Sequence, residues 1–595
     1  MKLNVKKLEP LLLKGVQVLD ERFHFIDECG QVLLAKKSHN QQLNVTLGNC
    51  IVIEYPHVAG FFRGLSFVLQ EKEVSEVVQF DENGLMFDCS RNGVLNLSYA
   101  KTLIENLALF GLNTFYLYLE DTYELKEEPY FGHLRGRYTH DELKQLDEYA
   151  VQFGIELVPC IQTLAHLHQY FRWPHTQPLL DIEDILCVGN EEVYALIELM
   201  IKNLAACLSS SRIHVGMDEA YHLGRGAYLN QCGLQSKTHI MQQHLTRVNE
   251  ILMRYDKKMM IWDDMFFKQY GETTTKMDVF DDLTLVYWDY YSTDEAHYDE
   301  ALVKRLSVTK DVMFAGGAWR WHGFVPSHQF TYESTQAALK MCKKHQVKSV
   351  MVTSWGDDGA ECLASMVFYG LALYAEHGYN QVMNVESFKS QLSFVSGVPY
   401  EAHAAIGNII LSPHAEPRTN LDKQILYVDP LVPVTACHHQ NLDEHLTCVR
   451  EQLRPYEMFN EVALYAKLVD VLLLKWNLSA NIKTAYDKHD FNTLQKIVTY
   501  QINPLIQVVA DFHALYETQW HQYYKSFGYE VIDLRLGGVV TRLKTTKKVL
   551  QALLNGECEQ VEQLEVTWLP YTRGCTEPIT LSQYAYNVSP NRLSW

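Results

Sequence analysis

Several signals that would settle a function class early are missing from these 595 residues. The thirteen cysteines are an odd number with no CxxC pair or regular spacing, so no disulfide framework or cysteine zinc site is indicated. Free thiols in a reducing compartment are the simpler reading. Near the start, in MKLNVKKLEPLLLKGVQVLD, the longest apolar run is Leu11 to Leu13, too short for a signal-peptide core or a membrane span. A soluble, cytoplasmic protein with no membrane partner is expected. Positive charge is also short: 52 Lys and Arg against 72 Asp and Glu leave −20, which argues against nucleic acid or an anionic membrane surface as a partner. There is no tandem repeat or low-complexity linker, and 47% hydrophobic with 21% charged residues excludes a disordered or collagen-like chain. What is plentiful is aromatic: 35 Tyr, 25 Phe and 10 Trp, suited to stacking on flat apolar ligand faces or to filling a core.

From residue 84 a pattern repeats, a short β-branched or aromatic run followed by polar residues and a helical stretch. The runs are Leu85 to Phe87, Thr114 to Leu119, Ile155 to Pro159, Ile213 to Val215, Met259 to Trp262, Leu283 to Trp288, Val312 to Ala315 and Val350 to Thr353. Helical spacing follows at Tyr99 to Leu109, Asp141 to Phe153, Glu191 to Cys207, His239 to Met253, Tyr332 to Lys344 and Gly359 to Tyr374. Eight alternations in about 300 residues predict an α/β chain built on a (β/α)₈ barrel of the TIM type. The weak link is Phe266 to Asp282, whose turn-rich sequence predicts a short or missing helix. Residues 1–79 predict a small α/β N-terminal domain with strands at Val16 to Leu19 and Val52 to Glu54 and an amphipathic stretch, Val58 to Gln70. The barrel is assigned 80–384, and 385–595 a mainly helical C-terminal domain, with helical patterns at Tyr456 to Lys475 and Asn492 to Tyr516. Pro504 interrupts the second, and a closing strand is expected near Val566 to Trp568.

Barrel chemistry sits at the C-terminal strand ends. The runs end in Asp88 and Arg91; Glu120 and Asp121; Gln162 and His166; Asp218 and Glu219; Trp262, Asp263 and Asp264; Trp288 and Asp289; Trp319 and Trp321; and Trp355, Asp357 and Asp358. Carboxylates beside indoles suit a sugar, whose C–H faces stack on Trp while its hydroxyls meet carboxylates and Arg. Any one Trp is more simply packing; five at one rim favour the sugar site. The densest segment is Arg212 to His222. Adjacent strand residues point opposite ways, so Asp218 and Glu219 share a pocket only if the strand ends or bends there, which Gly216 permits. Two carboxyls in different surroundings can divide an acid role from a charge-stabilising one, as glycoside hydrolysis needs. Standing alone, the pair reads as helix-capping acids. His214, Asp218 and His222 offer a metal set, weakened by Arg91 at the same rim; no metal or other cofactor is expected.

His214-Val-Gly-Met-Asp-Glu219 resembles the H-x-G-x-D-E signature of the family 20 glycoside hydrolases, the β-N-acetylhexosaminidases. Phe87-Asp-Cys-Ser-Arg91 resembles the family's D-x-S-R, Leu119-Glu-Asp121 its L-x-D, and Thr163-Leu-Ala-His166 carries its histidine. Trp262-Asp-Asp and Ser354-Trp-Gly-Asp357 resemble its strand-five and strand-eight tryptophan segments. The flanking domains suit its bacterial, intracellular, single-chain members. The resemblance implies that Glu219 is the general acid/base, that Asp218 orients the substrate's 2-acetamido group, and that Asp121 and His166 tune Glu219 through a hydrogen-bonded chain. It implies a substrate-facing set of Arg91, Trp262, Trp288, Tyr290, Trp319, Trp355 and Asp357. Tyr287, Tyr290 and Tyr291 compete to bind the acetamido oxygen, and Trp319 and Trp321 are either pocket wall or packing. Where the family ends strand eight with W-x-E, this chain has Trp355-Gly-Asp357, so the residue reading the C4 and C6 hydroxyls is shorter.

The expected function is exo-acting, retaining removal of terminal β-linked GlcNAc or GalNAc, with the acetamido oxygen as nucleophile and an oxazolinium intermediate. The partner is a glycan ending in such a sugar, and the family's dimers leave a homodimer open. The alternatives are a non-catalytic carbohydrate-binding barrel and a metal-dependent hydrolase.

Overall fold

The computed structural model describes residues 1–267, 280, 282–410, 419–435, 441–571, 573 and 580–591. Five strands, β1 (Leu3–Asn4), β2 (Gln31–Lys37), β3 (Gln42–Leu47), β4 (Ile51–Tyr55) and β5 (Val74–Val77), form a sheet in the order β1-β2-β4-β3-β5. Helix Val58–Leu69 lies against it and is buried along nearly its whole length. The expected strand at Val16 to Leu19 is instead part of helix Pro10–Phe23. Its buried residues Leu12, Gly15, Val16 and Leu19 follow the 3–4 spacing of one helix face, and Pro10 opens it.

The eight predicted runs are eight parallel strands: β6 (Glu82–Asp88), β7 (Thr114–Leu119), β8 (Glu156–Ile161), β11 (Arg212–His214), β12 (Lys258–Trp262), β13 (Leu283–Trp288), β14 (Val312–Gly317) and β15 (Ser349–Ser354). They close in the order β11-β12-β13-β14-β15-β6-β7-β8. A two-stranded hairpin, β9 (Leu180–Ile182) with β10 (Ile185–Leu186), lies in the long connection after β8. Side chains alternate across each strand. Met86, Tyr116, Tyr118, Val158, Cys160, Met260, Val286, Met313 and Met351 fill the barrel interior as a separate apolar cluster, while Leu85, Phe87, Phe115 and Leu117 face the helices. The floor is closed by charge: Arg212 reaches Glu82 at 2.8 Å and Glu156 at 2.5 Å.

Helices Leu97–Phe110, His140–Val151, Glu191–Ala205, Lys237–Arg254, Glu295–Leu306, His328–Lys344 and Phe368–Tyr379 surround the barrel. The last begins later than predicted: Asp358, Gly359 and Ala360 have φ of 56°, 117° and 57°, which bars an α-helix from starting at Gly359, and a 3₁₀ turn at Ala364–Val367 leads into the helix. After β12 the described helix is only Asp264–Phe267; of the doubtful stretch Phe266 to Asp282, residues 268–279 and 281 lie outside the described residues. The described residues from 385 on are mainly helical, with Asn460–Lys475, Asn503–Tyr523 and Tyr529–Leu554 the longest helices of that region. Pro504 takes the second position of its helix behind a π-turn at Val498–Ile502. Val566 to Trp568 is irregular, not a strand: Val566 and Thr567 are exposed and only Trp568 packs on the core, so the segment lacks the pleated, half-buried surface that favours β-branched residues. Among the described residues no helix is long and apolar enough to cross a membrane.

Candidate active site

Extending the strand alternation beyond the C-terminal ends decides which residues enter the barrel mouth. Along β7 the interior residues Tyr116 and Tyr118 are followed by Glu120; along β8, Val158 and Cys160 by Gln162; along β12, Met260 and Trp262 by Asp264; along β15, Met351 is followed by Trp355 and Asp357. In the doublets after β7 and β12 one acid, Glu120 or Asp264, therefore continues the interior row of its strand. Its neighbour turns away: Asp121 pairs with Arg135 at 3.2 Å, and Asp263 with Arg305.

The cavity has an empty volume of about 440 Å³ and is lined by Arg91, Asp218, Glu219, Trp262, Trp288, Tyr290, Tyr291, Trp321, Trp355 and Asp357. Asp218 and Glu219 reach it together because β11 ends at His214 and the backbone then turns sharply. Gly216, Met217 and Glu219 all have left-handed φ, at 72°, 74° and 55°. Glycine adopts this region freely; for Met217 and Glu219 it costs roughly 1–3 kcal/mol each and persists where the surroundings over-determine it. The amide of Glu219 donates to Asp264 at 3.1 Å, and Trp288 Nε1 donates to the other Asp264 oxygen at 3.3 Å.

Asp218 is the enclosed member of the pair. Its Oδ1 accepts from Gln162 Nε2 at 2.8 Å, and its Oδ2 lies 3.3 Å from His166 Nε2. The same imidazole nitrogen is 3.7 Å from Glu219. Burial disfavours the Asp218 charge, but His166 and Gln162 outweigh it and hold the carboxyl below its ordinary range. His166 moves the opposite way: burial pushes it down, Asp218 pulls it further up, and it settles at about 9. The two form an ion pair at neutral pH. Glu219 is more open, with 36% of its side chain exposed against 10% for Asp218, and accepts from the Tyr221 hydroxyl at 3.2 Å.

Opposite stands Arg91. Its guanidinium lies 3.3 Å from Asp88 and 3.2 Å from Glu120, over the rings of Tyr118 and Trp355. Asp88 also accepts from the Gly356 amide at 3.0 Å, tying the ends of β6 and β15. Burial raises Glu120 and Asp264 to about 7 each and Asp357 to about 6, with Arg91 opposing the shift at Glu120 and Asp357. The aromatic wall is layered. Trp288 stacks on Tyr290 at 5.3 Å, and Trp355 Nε1 donates to the Tyr290 hydroxyl at 3.1 Å.

Three expectations change here. Asp121, expected to act on Glu219 through His166, pairs with Arg135 instead, and the acid just after β7 whose charge acts on His166 is Glu120. Trp319 stands behind the wall, stacked on Trp321 at 4.5 Å with its Nε1 donating to the Tyr290 carbonyl; Trp321 is the one exposed to the cavity. Among the competing tyrosines, Tyr287 lies under Arg305 away from the cavity, which leaves Tyr290 and Tyr291. Glu120, Gln162 and Asp264 stand at the predicted rim but outside the catalytic and substrate-facing set the resemblance implies, and Tyr221 is new to the site. For the first three the signal was the parity of their strand. The suggested metal set does not assemble: His214 Nδ1 accepts from the Gly216 amide, and His222 is exposed beside Glu183. Among the described residues no group of three or more His, Cys, Asp or Glu is arranged to hold a metal ion.

Among curated proteins, the chain is 26% identical to Hexosaminidase D of Bos taurus, over 38% of this chain and 65% of that protein. It is 24% identical to a Beta-hexosaminidase of Vibrio furnissii, over 34% and 40%. The chain thus spans 65% or less of the length of these relatives. Its fold is similar to that of the GH20 exo β-N-acetylglucosaminidase of Vibrio harveyi (TM-score 0.53, 16% identity, 68% of this chain and 74% of that one). It is similar too to the chitobiase of Flavobacterium johnsoniae (0.53, 15%, 95% and 92%). Residues 405–580 match the Glycoside Hydrolase 20C C-terminal domain. Residues 80–379, half of the chain and all eight barrel strands, match the catalytic domain of glycosyl hydrolase family 20, and the chain belongs to that family.

Proposed function

We propose that the protein is an exo-acting, retaining β-N-acetylhexosaminidase that removes terminal β-linked GlcNAc or GalNAc by substrate-assisted catalysis. The observation that carries this is the division of labour between Asp218 and Glu219. One carboxylate is enclosed and kept ionised by His166 and Gln162; the other, its neighbour in sequence, is open towards the mouth. In the proposed reaction Asp218 accepts the acetamide N–H and stabilises its growing positive charge. The acetamide carbonyl oxygen attacks C1 while Glu219 protonates the departing glycosidic oxygen, so the C1–O bond breaks and an oxazolinium forms. Glu219 then takes a proton from the water that reopens the ring, giving net retention. Arg91 and Asp357 are assigned to the C3, C4 and C6 hydroxyls, and the Trp262, Trp288, Trp321 and Trp355 surfaces to the sugar faces. Tyr290 or Tyr291 meets the acetamido oxygen. His166 orients both carboxylates, and Glu120 replaces Asp121 as the acid acting on it. The eleven described cysteines are free thiols, which supports a reducing compartment such as the cytoplasm. We further propose domains at 1–79, 80–384 and 385–595.

The test is hydrolysis of chromogenic β-GlcNAc and β-GalNAc substrates, with and without a thiazoline mimic of the oxazolinium. The thiazoline should block turnover, and Glu219→Gln should lower kcat by about 10²–10⁴ with the fold intact. Turnover by Glu219→Gln at the wild-type rate would overturn the assignment.

A further inference from the structure

We propose that the helical C-terminal region is a functional part of the pocket wall: Asp422, Lys423 and Arg535 form a polar clamp on the loops after β14 and β15. This clamp would set the positions of Trp321, Trp355 and Asp357. The inference rests on the proposed function only in what those three residues read. The clamp itself is built from contacts outside the cavity.

The grip begins one residue beyond Trp321. Asn420 Nδ2 donates to the His322 carbonyl at 3.1 Å, and the buried Asp422 carboxylate accepts from the amides of Phe324 at 2.7 Å and Val325 at 3.0 Å. A Cβ at Gly323 would stand 2.8 Å from both Asp422 oxygens, so backbone and carboxylate meet at the closest approach a glycine allows. The next residue of the same short helix, Leu421–Tyr427, reaches the other loop. The fully buried Lys423 ammonium lies 2.7 Å from Asp358 and 2.5 Å from Glu361. Arg535, from helix Tyr529–Leu554, donates to the Asp358 carbonyl at 2.6 Å, to its carboxylate at 3.1 Å and to Glu361 at 2.7 Å.

Two cations thus meet two carboxylates, and all four groups are needed for neutrality in a largely dry site. The loop they hold is strained. Asp358, Gly359 and Ala360, immediately after Asp357, have left-handed φ in succession, a path that lasts only where contacts enforce it. Arg320 joins the two loops, donating to the Trp355 carbonyl at 2.9 Å, the Cys362 carbonyl at 3.1 Å and the Tyr524 hydroxyl of the C-terminal region at 2.9 Å. The contacts fall within five residues of Trp321, Trp355 or Asp357 on the same two loops, so movement of the clamp moves the wall.

Arg535→Ala is the first variant, because Arg535 is less enclosed than the fully buried Lys423; Arg535→Lys, Lys423→Met and a same-helix control, Arg542→Ala, which loses only its pair with Asp429, complete the set. Arg535→Ala should raise KM on the β-GlcNAc substrate about tenfold with a smaller fall in kcat, since displacements near 1 Å cost up to about 10²-fold. It should also change the GlcNAc to GalNAc rate ratio. Arg535→Lys should recover most of both, and Arg542→Ala should leave both unchanged. Hydrogen exchange at 319–325 and 355–361 should rise in Arg535→Ala and Lys423→Met with the barrel strands still protected. Unchanged exchange in both loops would overturn the clamp, as would an unchanged KM and rate ratio in an active enzyme. An unmodified chain that turns over neither sugar would defeat the functional reading, and the exchange comparison would still decide the clamp.

Discussion

His166 carries more of the site's electrostatics than its place in the sequence suggests. Burial alone would keep the imidazole neutral, yet Asp218 at 3.3 Å holds its pKa at about 9. A group whose folded pKa lies above its unfolded value of about 6.5 adds stability in full below the lower value and loses it as pH rises through the upper one. The unfolding free energy should therefore fall between about pH 6.5 and 9 in the wild type, relative to His166→Gln, in denaturant titrations at stepped pH. A parallel course for the two proteins would mean that His166 is not charged in the folded state. Asp218 obeys the opposite rule: its pKa is depressed, so its contribution is lost on acidification. The signature segment alone pointed to Asp218 and Glu219, and His166 was legible through the resemblance. The choice within each acidic doublet was legible too, from the parity of Tyr116 and Tyr118 or of Met260 and Trp262, but only once the strand ends were known to a single residue.

Among the elements, the five residues after β11 do the most with the least regular structure. Gly216 is the pivot, at φ 72°, and a Cβ there would sit 2.1 Å from Gln162 Oε1 and 2.7 Å from the Ile161 carbonyl. Gly216→Ala should therefore move Gln162 away from Asp218, lower stability by about 1–3 kcal/mol and reduce kcat by at least about tenfold. Thermal melts and steady-state kinetics on the variant check both, and an unperturbed kcat would mean that the turn relaxes without disturbing the acids. The eight strands were legible because a parallel barrel strand is buried on both faces and reads as a continuous apolar run. Val16 to Leu19, Val-Gln-Val-Leu, differs from its strand-like expectation because four residues are too few to separate a period of two from one of 3.6; the 14-residue span Pro10–Phe23 reveals the helical face. That no helix starts at Gly359 was not legible, because the left-handed turn at 358–360 is contacted by Lys423 and Arg535, far away in sequence.

At the scale of the whole molecule, the N-terminal sheet is joined to the barrel by charge buried as deeply as any core residue. Arg63, on helix Val58–Leu69, is fully enclosed and meets Glu76 of β5 at 2.7 Å and Glu376 of helix Phe368–Tyr379 at 2.8 Å. It donates also to the Phe110 carbonyl at 3.2 Å and lies 4.6 Å from the Tyr379 ring centre. One cation thus serves two acids from different layers, and burial already raises the Glu376 carboxyl above its usual range despite Arg63. Such a triad adds little net stability over a well-packed apolar core, yet breaking it strands the remaining charges. Arg63→Met should cost about 3–5 kcal/mol in urea unfolding, while Arg63→Met combined with Glu76→Gln and Glu376→Gln should recover part of that loss. The pocket lies at the opposite, C-terminal end of the barrel strands, so KM of the folded Arg63→Met protein should stay at the wild-type value. A single variant as stable as the wild type would show that water or protonation relieves the two acids. A triple variant no better than the single one would mean that packing, not stranded charge, sets the cost.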